Sequence, residues 1–386
     1  MMRLIFPAGN SAKKRPFMRQ AFRITIATLA LALFALAACS VPSTPGTTPG
    51  PDSQAASALQ VPTPKAGRTR PLIVVLADNA GTETTDFVIP YGVLKESRVA
   101  DVLAVSTEPG TIKLMPALQV RADTTTAEFD ASTPDGADIL IVPAMHRTDR
   151  PSLLAWVRAQ SAKGALVVSI CDGAWILANA GLLRDRMATS HWYSLSELKK
   201  QNPNTTWVRN RRYVIDRNVM TTTGVSASIP ASLALVDAIA GRAAADATAK
   251  RLGVATWGPE HDSAPFGLSA GRVAVAVANL LSFWGHETVE VPVEDGFDEI
   301  GVALTADAWS RTYRSEAAAT SIAAMVRSRR GLLLIPAVAS RPGQQVLTSY
   351  TGASATALDV ALENIASRYG VATADFVALQ LEYPER

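Results

Sequence analysis

Two cysteines occur in the 386 residues, Cys39 and Cys171, and the second stands where chemistry is easiest to build. Its string is Ser169-Ile170-Cys171-Asp172-Gly173, set between an apolar run (ALVVSI) and a helix-like run (AWILANAGLL). A small residue two before and a glycine two after permit a tight strand-to-helix turn, the nucleophile elbow, with cysteine in place of serine. Such a turn lifts the thiol over the sheet edge and aims it at a helix amino terminus, whose partial positive charge favours thiolate. An inert, buried structural cysteine fits the local pattern equally well. Acids follow the first apolar run, in Gly81-Thr82-Glu83-Thr84-Thr85-Asp86. A carboxyl enclosed by apolar groups holds its proton to higher pH and can exchange it with a thiolate. Asp86 equally suits a helix N-cap. His191 lies twenty residues beyond Cys171.

Positioning these groups requires a sheet with helices between its strands. Leu72–Ala77, Val102–Val105, Ala137–Val142 and Ala165–Ile170 read as short buried strands. Phe87–Ser97 and Pro151–Ala162 read as helices between them. The alternation predicts an α/β fold, a parallel sheet sandwiched by helices, with its site at the carboxyl ends of the strands. Tyr213–Asp216 and Val219–Val225 extend the sheet, and Ile229–Ala240 closes it as a helix.

The amino-terminal region has another character. Residues 1–38 hold six basic and no acidic residues and end in the apolar run ITIATLALALFALAA, too short for a comfortable transmembrane helix and suited to a secretory signal. Beyond it, 31 Lys and Arg face 34 Asp and Glu, which gives no footprint for nucleic acid. Residues 39–70 are rich in Pro, Ser, Thr and Gly and read as a tether.

Two resemblances sharpen these readings. Leu36-Ala37-Ala38-Cys39 resembles the lipobox of bacterial lipoproteins. That implies a signal peptide over 1–38, lipid on Cys39, and a body held to the cell envelope, at the outer membrane facing the periplasm. The stretch SICDGAWILANAGLLRDRMATSHW, followed by YVID and VMTTTGV, is similar to the ThiJ/PfpI superfamily of class I glutamine amidotransferase-like folds. Within it, the likeness is to the amidase-like domain of GlxA-type AraC regulators and to isonitrile hydratases. The resemblance covers about 72–245 and implies a flavodoxin-like fold. It implies Cys171 as nucleophile, Asp86 as its acid (Glu83 if the register slips), and His191 beside the site. The implied oxyanion donors are the backbone amides of Met145 and Asp172. Asp172 stands where isonitrile hydratases have Thr, and Pro143-Ala144-Met145-His146 lacks the glycines of the family turn.

The helix-turn-helix of the regulators is not found in the final third. A loop at 257–266 carries His261 between Glu260 and Asp262, but adjacent side chains diverge and no metal is expected. Ser269–Trp284 reads as a helix, Val289–Val293 and Gly331–Pro336 as strands, Ala303–Thr312 and Leu358–Tyr369 as helices, and Phe376–Leu381 as a strand. This resembles a smaller carboxyl-terminal half-repeat of the same fold, with Gly296 matching Gly81 and Gly301 matching Asp86. The alternative is an unrelated α/β extension. The expected domains are thus 71–255, a connection over 256–288, and 289–386.

Together these point to cofactor-free hydrolase, hydratase or lyase chemistry by a cysteine on a small electrophile. A non-catalytic small-molecule or redox sensor is the alternative. The expected partners are a small molecule and, through the lipid, a membrane, with no nucleic acid. A homodimer or an internal pseudo-dimer is the expected assembly.

Overall fold

The computed structural model describes residues 59–338, 344–348 and 350–384. The signal-like run, Cys39 and the tether to residue 58 lie outside the described residues. β1 (Leu72–Ala77) leads through β2 (Thr82–Glu83) into α1 (Thr84–Ser97), and the chain returns as β3 (Asp101–Ser106). The hairpin β4 (Thr111–Met115) and β5 (Gln119–Arg121) leaves the sheet before β6 (Thr124–Thr125) rejoins it. α2 (Thr126–Ser132), β7 (Ile139–Val142), α3 (Pro151–Ala162) and β8 (Leu166–Ser169) then carry the chain to Cys171. Beyond the elbow come α4 (Ala174–Asn179), β9 (Met187–Ala188), α5 (Trp192–Gln201) and β10 (Thr206–Trp207). β11 (Tyr213–Asp216), β12 (Val219–Thr222), α6 (Ser228–Ala240) and α7 (Arg242–Leu252) complete this half.

The sheet order is β11-β12-β8-β7-β1-β3-β6, parallel except for the β11–β12 pair. β7 and β8 are buried along their whole length, as strands covered on both faces must be. This is the helix-covered parallel sheet expected from the alternation of elements, and the flavodoxin-like sandwich that the resemblance implied.

After α8 (Ala270–Leu281), β13 (Glu287–Pro292), α9 (Glu299–Ser310) and β14 (Ser315–Ser321) begin a second sheet. The hairpin β15 (Val326–Arg327) and β16 (Leu333–Leu334) follows, then β17 (Ala337–Val338) and β18 (Gln345–Val346). α10 (Ala357–Tyr369) and α11 (Val371–Gln380) end the described chain. The order β17-β14-β13-β18 is wholly parallel. Strand, helix, strand, hairpin, strand, strand is also the order of β1 to β7 once the short β2 and α2 are set aside, and β13 lies between β14 and β18 as β1 lies between β3 and β7. Each half ends in two helices broken at a glycine, Gly241 (φ 84°) and Gly370 (φ 92°). Among the described residues, the second half has no counterpart of the stretch from α3 to β12, which in the first half carries the elbow.

The halves are packed together. α1 lies on α9 so closely that a Cβ on Gly92 would stand 2.7 Å from Ile300 Cγ1. The two hairpins merge by antiparallel pairing of β5 with β16. Ile89, Val93, Ile300, Leu304 and Trp309 share one apolar cluster across the junction.

Several expectations need correction. Phe376–Leu381 belongs to helix α11, not to a strand, since a short buried apolar run has no periodicity to tell the two apart. The strand expected over Gly331–Pro336 shrinks to β16, and the helix expected at Ala303 begins at Glu299. Residues 59–70 are not tether. Leu59 and Val61 pack on the main core. The Lys65 and Leu72 amides and the Arg68 guanidinium all donate to the fully buried Asp138 carboxylate.

Candidate active site

Cys171 follows β8 directly, at the carboxyl edge of the sheet. Its φ of +54° is left-handed, a conformation that costs a non-glycine residue about 1–2 kcal/mol. The surroundings hold it there. The Cys171 amide donates to Thr222 Oγ1 at 3.0 Å, and the Thr222 hydroxyl donates to Thr223 O. Gly173 passes so near β7 that a Cβ would lie 2.1 Å from Val142 O, so no larger residue fits the turn. The expected elbow is therefore present, with Cys171 8% exposed.

α1 supplies the acids. Its N-cap is Glu83, whose carboxylate accepts the Asp86 amide, and not Asp86. Relieved of capping, the fully buried Asp86 side chain receives the Ala144 amide on Oδ2 at 3.2 Å, while Oδ1 has no partner. Burial pushes the Asp86 carboxyl up to about 7. Burial first, then the charge of Asp86, does the same to Glu83.

The thiol behaves differently from the expectation drawn from the helix terminus. Burial, followed by the charges of Asp86, Asp172 and Glu83, raises Cys171 well above the usual thiol value. The Asp172 amide bonds the sulfur and acts the other way, but it does not win. Both groups thus hold their protons to higher pH than they would in water, and the charge of Asp86 acts on the thiol.

A residue the sequence did not single out completes the site from the second half. Arg311, just past α9, donates from Nη2 to Glu83 Oε1 at 2.6 Å and from Nε to Asp307 Oδ1 at 2.8 Å. Although burial alone would lower it, the charges of Asp307 and Glu83 raise its pKa, and its field reaches Cys171. The Thr85 hydroxyl lies within bonding distance of both Glu83 and Asp307. No local sequence signal marks Arg311, whose partner Glu83 lies in the other half.

The other expected site residues divide. The Asp172 amide is beside the sulfur, while its carboxylate is held by the Ser190 and Ser194 hydroxyls. Met145 forms an isolated antiparallel bridge with Thr82, whose bonds are Glu83 N to Ala144 O and His146 N to Gly81 O. That bridge fixes the turn without using the Met145 amide. Both ring nitrogens of His191 are engaged by backbone groups. Nδ1 accepts the Tyr193 amide, so Nε2 carries the proton and donates to Gln380 O at 3.1 Å. His261 is likewise structural in its setting, paired with the buried Glu382 at 3.0 Å, which also accepts the Gly224 amide.

A strained cysteine elbow at the carboxyl edge of a flavodoxin-like sheet, with a buried acid from the first helix, defines a class of cysteine-centred α/β domains. The model of the DJ-1/PfpI family matches residues 72–238. A deglycase of Pyrococcus horikoshii is 32% identical over 155 residues, 39% of this chain and 86% of that one. An isonitrile hydratase of Pseudomonas putida is 34% identical over 90 residues, 23% of this chain and 37% of that one. Among solved structures, DJ-1beta of Drosophila melanogaster aligns with a TM-score of 0.44 at 23% identity, covering 48% of this chain and 100% of that one. The chain belongs to the DJ-1/PfpI family.

Proposed function

We propose that this protein is an envelope enzyme, lipid-anchored through Cys39, in which Cys171 attacks a small electrophilic carbonyl. The observation that carries the reading is the pairing of a thiol on a strained elbow with a buried carboxyl whose Oδ1 is unpartnered. Asp86 takes the thiol proton, the sulfur bonds the carbonyl carbon, and the C=O electron pair moves to oxygen. The amides of Asp172 and Met145 hold that oxygen until Asp86 returns the proton. The deglycase relatives favour a carbonyl over an isonitrile, and the hydratase likeness spans a shorter stretch. The second half acts as a built-in partner, as an internal pseudo-dimer would, since it brings Arg311 to Glu83. His191 serves as a wall residue that holds the carboxyl-terminal turn.

The test is consumption of a small dicarbonyl by the full chain beside Cys171→Ala and Asp86→Asn. Turnover that falls at least ~100-fold in both variants supports the proposal. Turnover unchanged in Cys171→Ala, or a thiol inert to every electrophile while the chain is folded, refutes it and leaves a ligand-binding domain.

A further inference from the structure

We propose that the Cys171 site selects by charge, admitting electrophiles that are uncharged or cationic and turning away those that carry a carboxylate or sulfonate. This rests on Cys171 being a nucleophile. Three carboxyl groups act on the thiol, Glu83 and Asp86 at the start of α1 and Asp172 in the elbow, and Arg311 ties a fourth, Asp307 from α9, to Glu83. The cation that reaches them is Arg311, whose Nε and Nη2 are already committed to Asp307 and Glu83. Its side-on fork is therefore not free for an incoming anion. Asp172 is held by two hydroxyls and no cation, and Asp86 Oδ1 is buried without a partner.

An anionic substrate thus meets uncompensated like charge in a site screened from water, while an ammonium group finds acceptors in place. An aldehyde or ketone bearing an amine fits this environment, and a 2-oxo acid does not. The second half decides the outcome. Were Asp307 absent, Nε of Arg311 would lose its partner and the preference would weaken.

Three methanethiosulfonates of similar size test this: aminoethyl, hydroxyethyl and sulfonatoethyl. Each transfers its thioalkyl group to the thiolate, forming a disulfide and releasing methanesulfinate. Rates are read by intact mass on the full chain, with Cys171→Ser subtracting reaction at Cys39. Relative to a free small thiol, the aminoethyl reagent is expected to react at least ~10-fold faster than the sulfonatoethyl one. Asp172→Asn and Asp307→Asn should each narrow that ratio. A ratio equal to that of the free thiol, with the neutral reagent still reacting, overturns charge selection and leaves the nucleophile standing. Failure of the neutral reagent as well overturns both.

Discussion

Replacing Asp86 by Asn tests the buried carboxyl through its effect on stability. Asn keeps a carbonyl oxygen to accept the Ala144 amide but cannot ionise. Burial pushes the carboxyl up to about 7 in the folded chain from the ordinary value of 3.8. A folded value above the unfolded one means that the contribution to stability is complete below about pH 4 and is lost as pH rises through about 7. A gap of about three units corresponds to roughly 4 kcal/mol, and coupling to Cys171 and Glu83 reduces this to about 2–4 kcal/mol. Urea unfolding of wild type and Asp86→Asn at pH 4.5 and pH 8 reads the difference directly. The variant should gain about 2–4 kcal/mol on wild type between the two pH values. Because the Asp86 charge helps to raise Cys171, the thiol should also titrate lower in the variant. Equal differences at both pH values would refute the placement of an ionisable proton at Asp86.

Two further substitutions probe the scaffold. Gly173→Ala forces a Cβ against Val142 O and should cost about 3 kcal/mol or more, seen as a fall in Tm with the loss of Cys171 reactivity; an unchanged Tm would mean that the elbow is not held against β7. Asp138→Ala removes the acceptor shared by Lys65, Arg68 and Leu72, so limited proteolysis should cut near residues 59–70 well before the rest of the chain unfolds, and equal resistance in the variant would contradict the docked strap.

The first half was legible because its chemistry is local. A nucleophile elbow needs a small residue before the cysteine and a glycine after it, and both are visible in five residues. The buried strands announce themselves as β-branched runs. Asp86 was found as a proton carrier, but that Glu83 takes over the capping depends on where α1 begins, three residues earlier than the apolar pattern shows. The second half was legible as a repeat only in outline. Its strands β15 to β18 are two residues each, too short to show a period, and β16 is ordered partly by pairing with β5 of the other half. Arg311 has no local signature, since its meaning comes from a glutamate 228 positions away. Nor could the strap be read, because Leu59 and Val61 sit among prolines and threonines and gain order only from a buried aspartate on the sheet.

The junction of α1 with α9 has a consequence for how the site responds to dilution. When a catalytic group is borrowed from a separate copy, the borrowed contact disappears once the concentration falls below the dissociation constant. Here lender and borrower are one molecule, so the Arg311–Glu83 bridge persists in a single isolated chain. The same linkage removes the demand that both halves stay alike. The lending half can shed its own elbow while keeping the helix that reaches across.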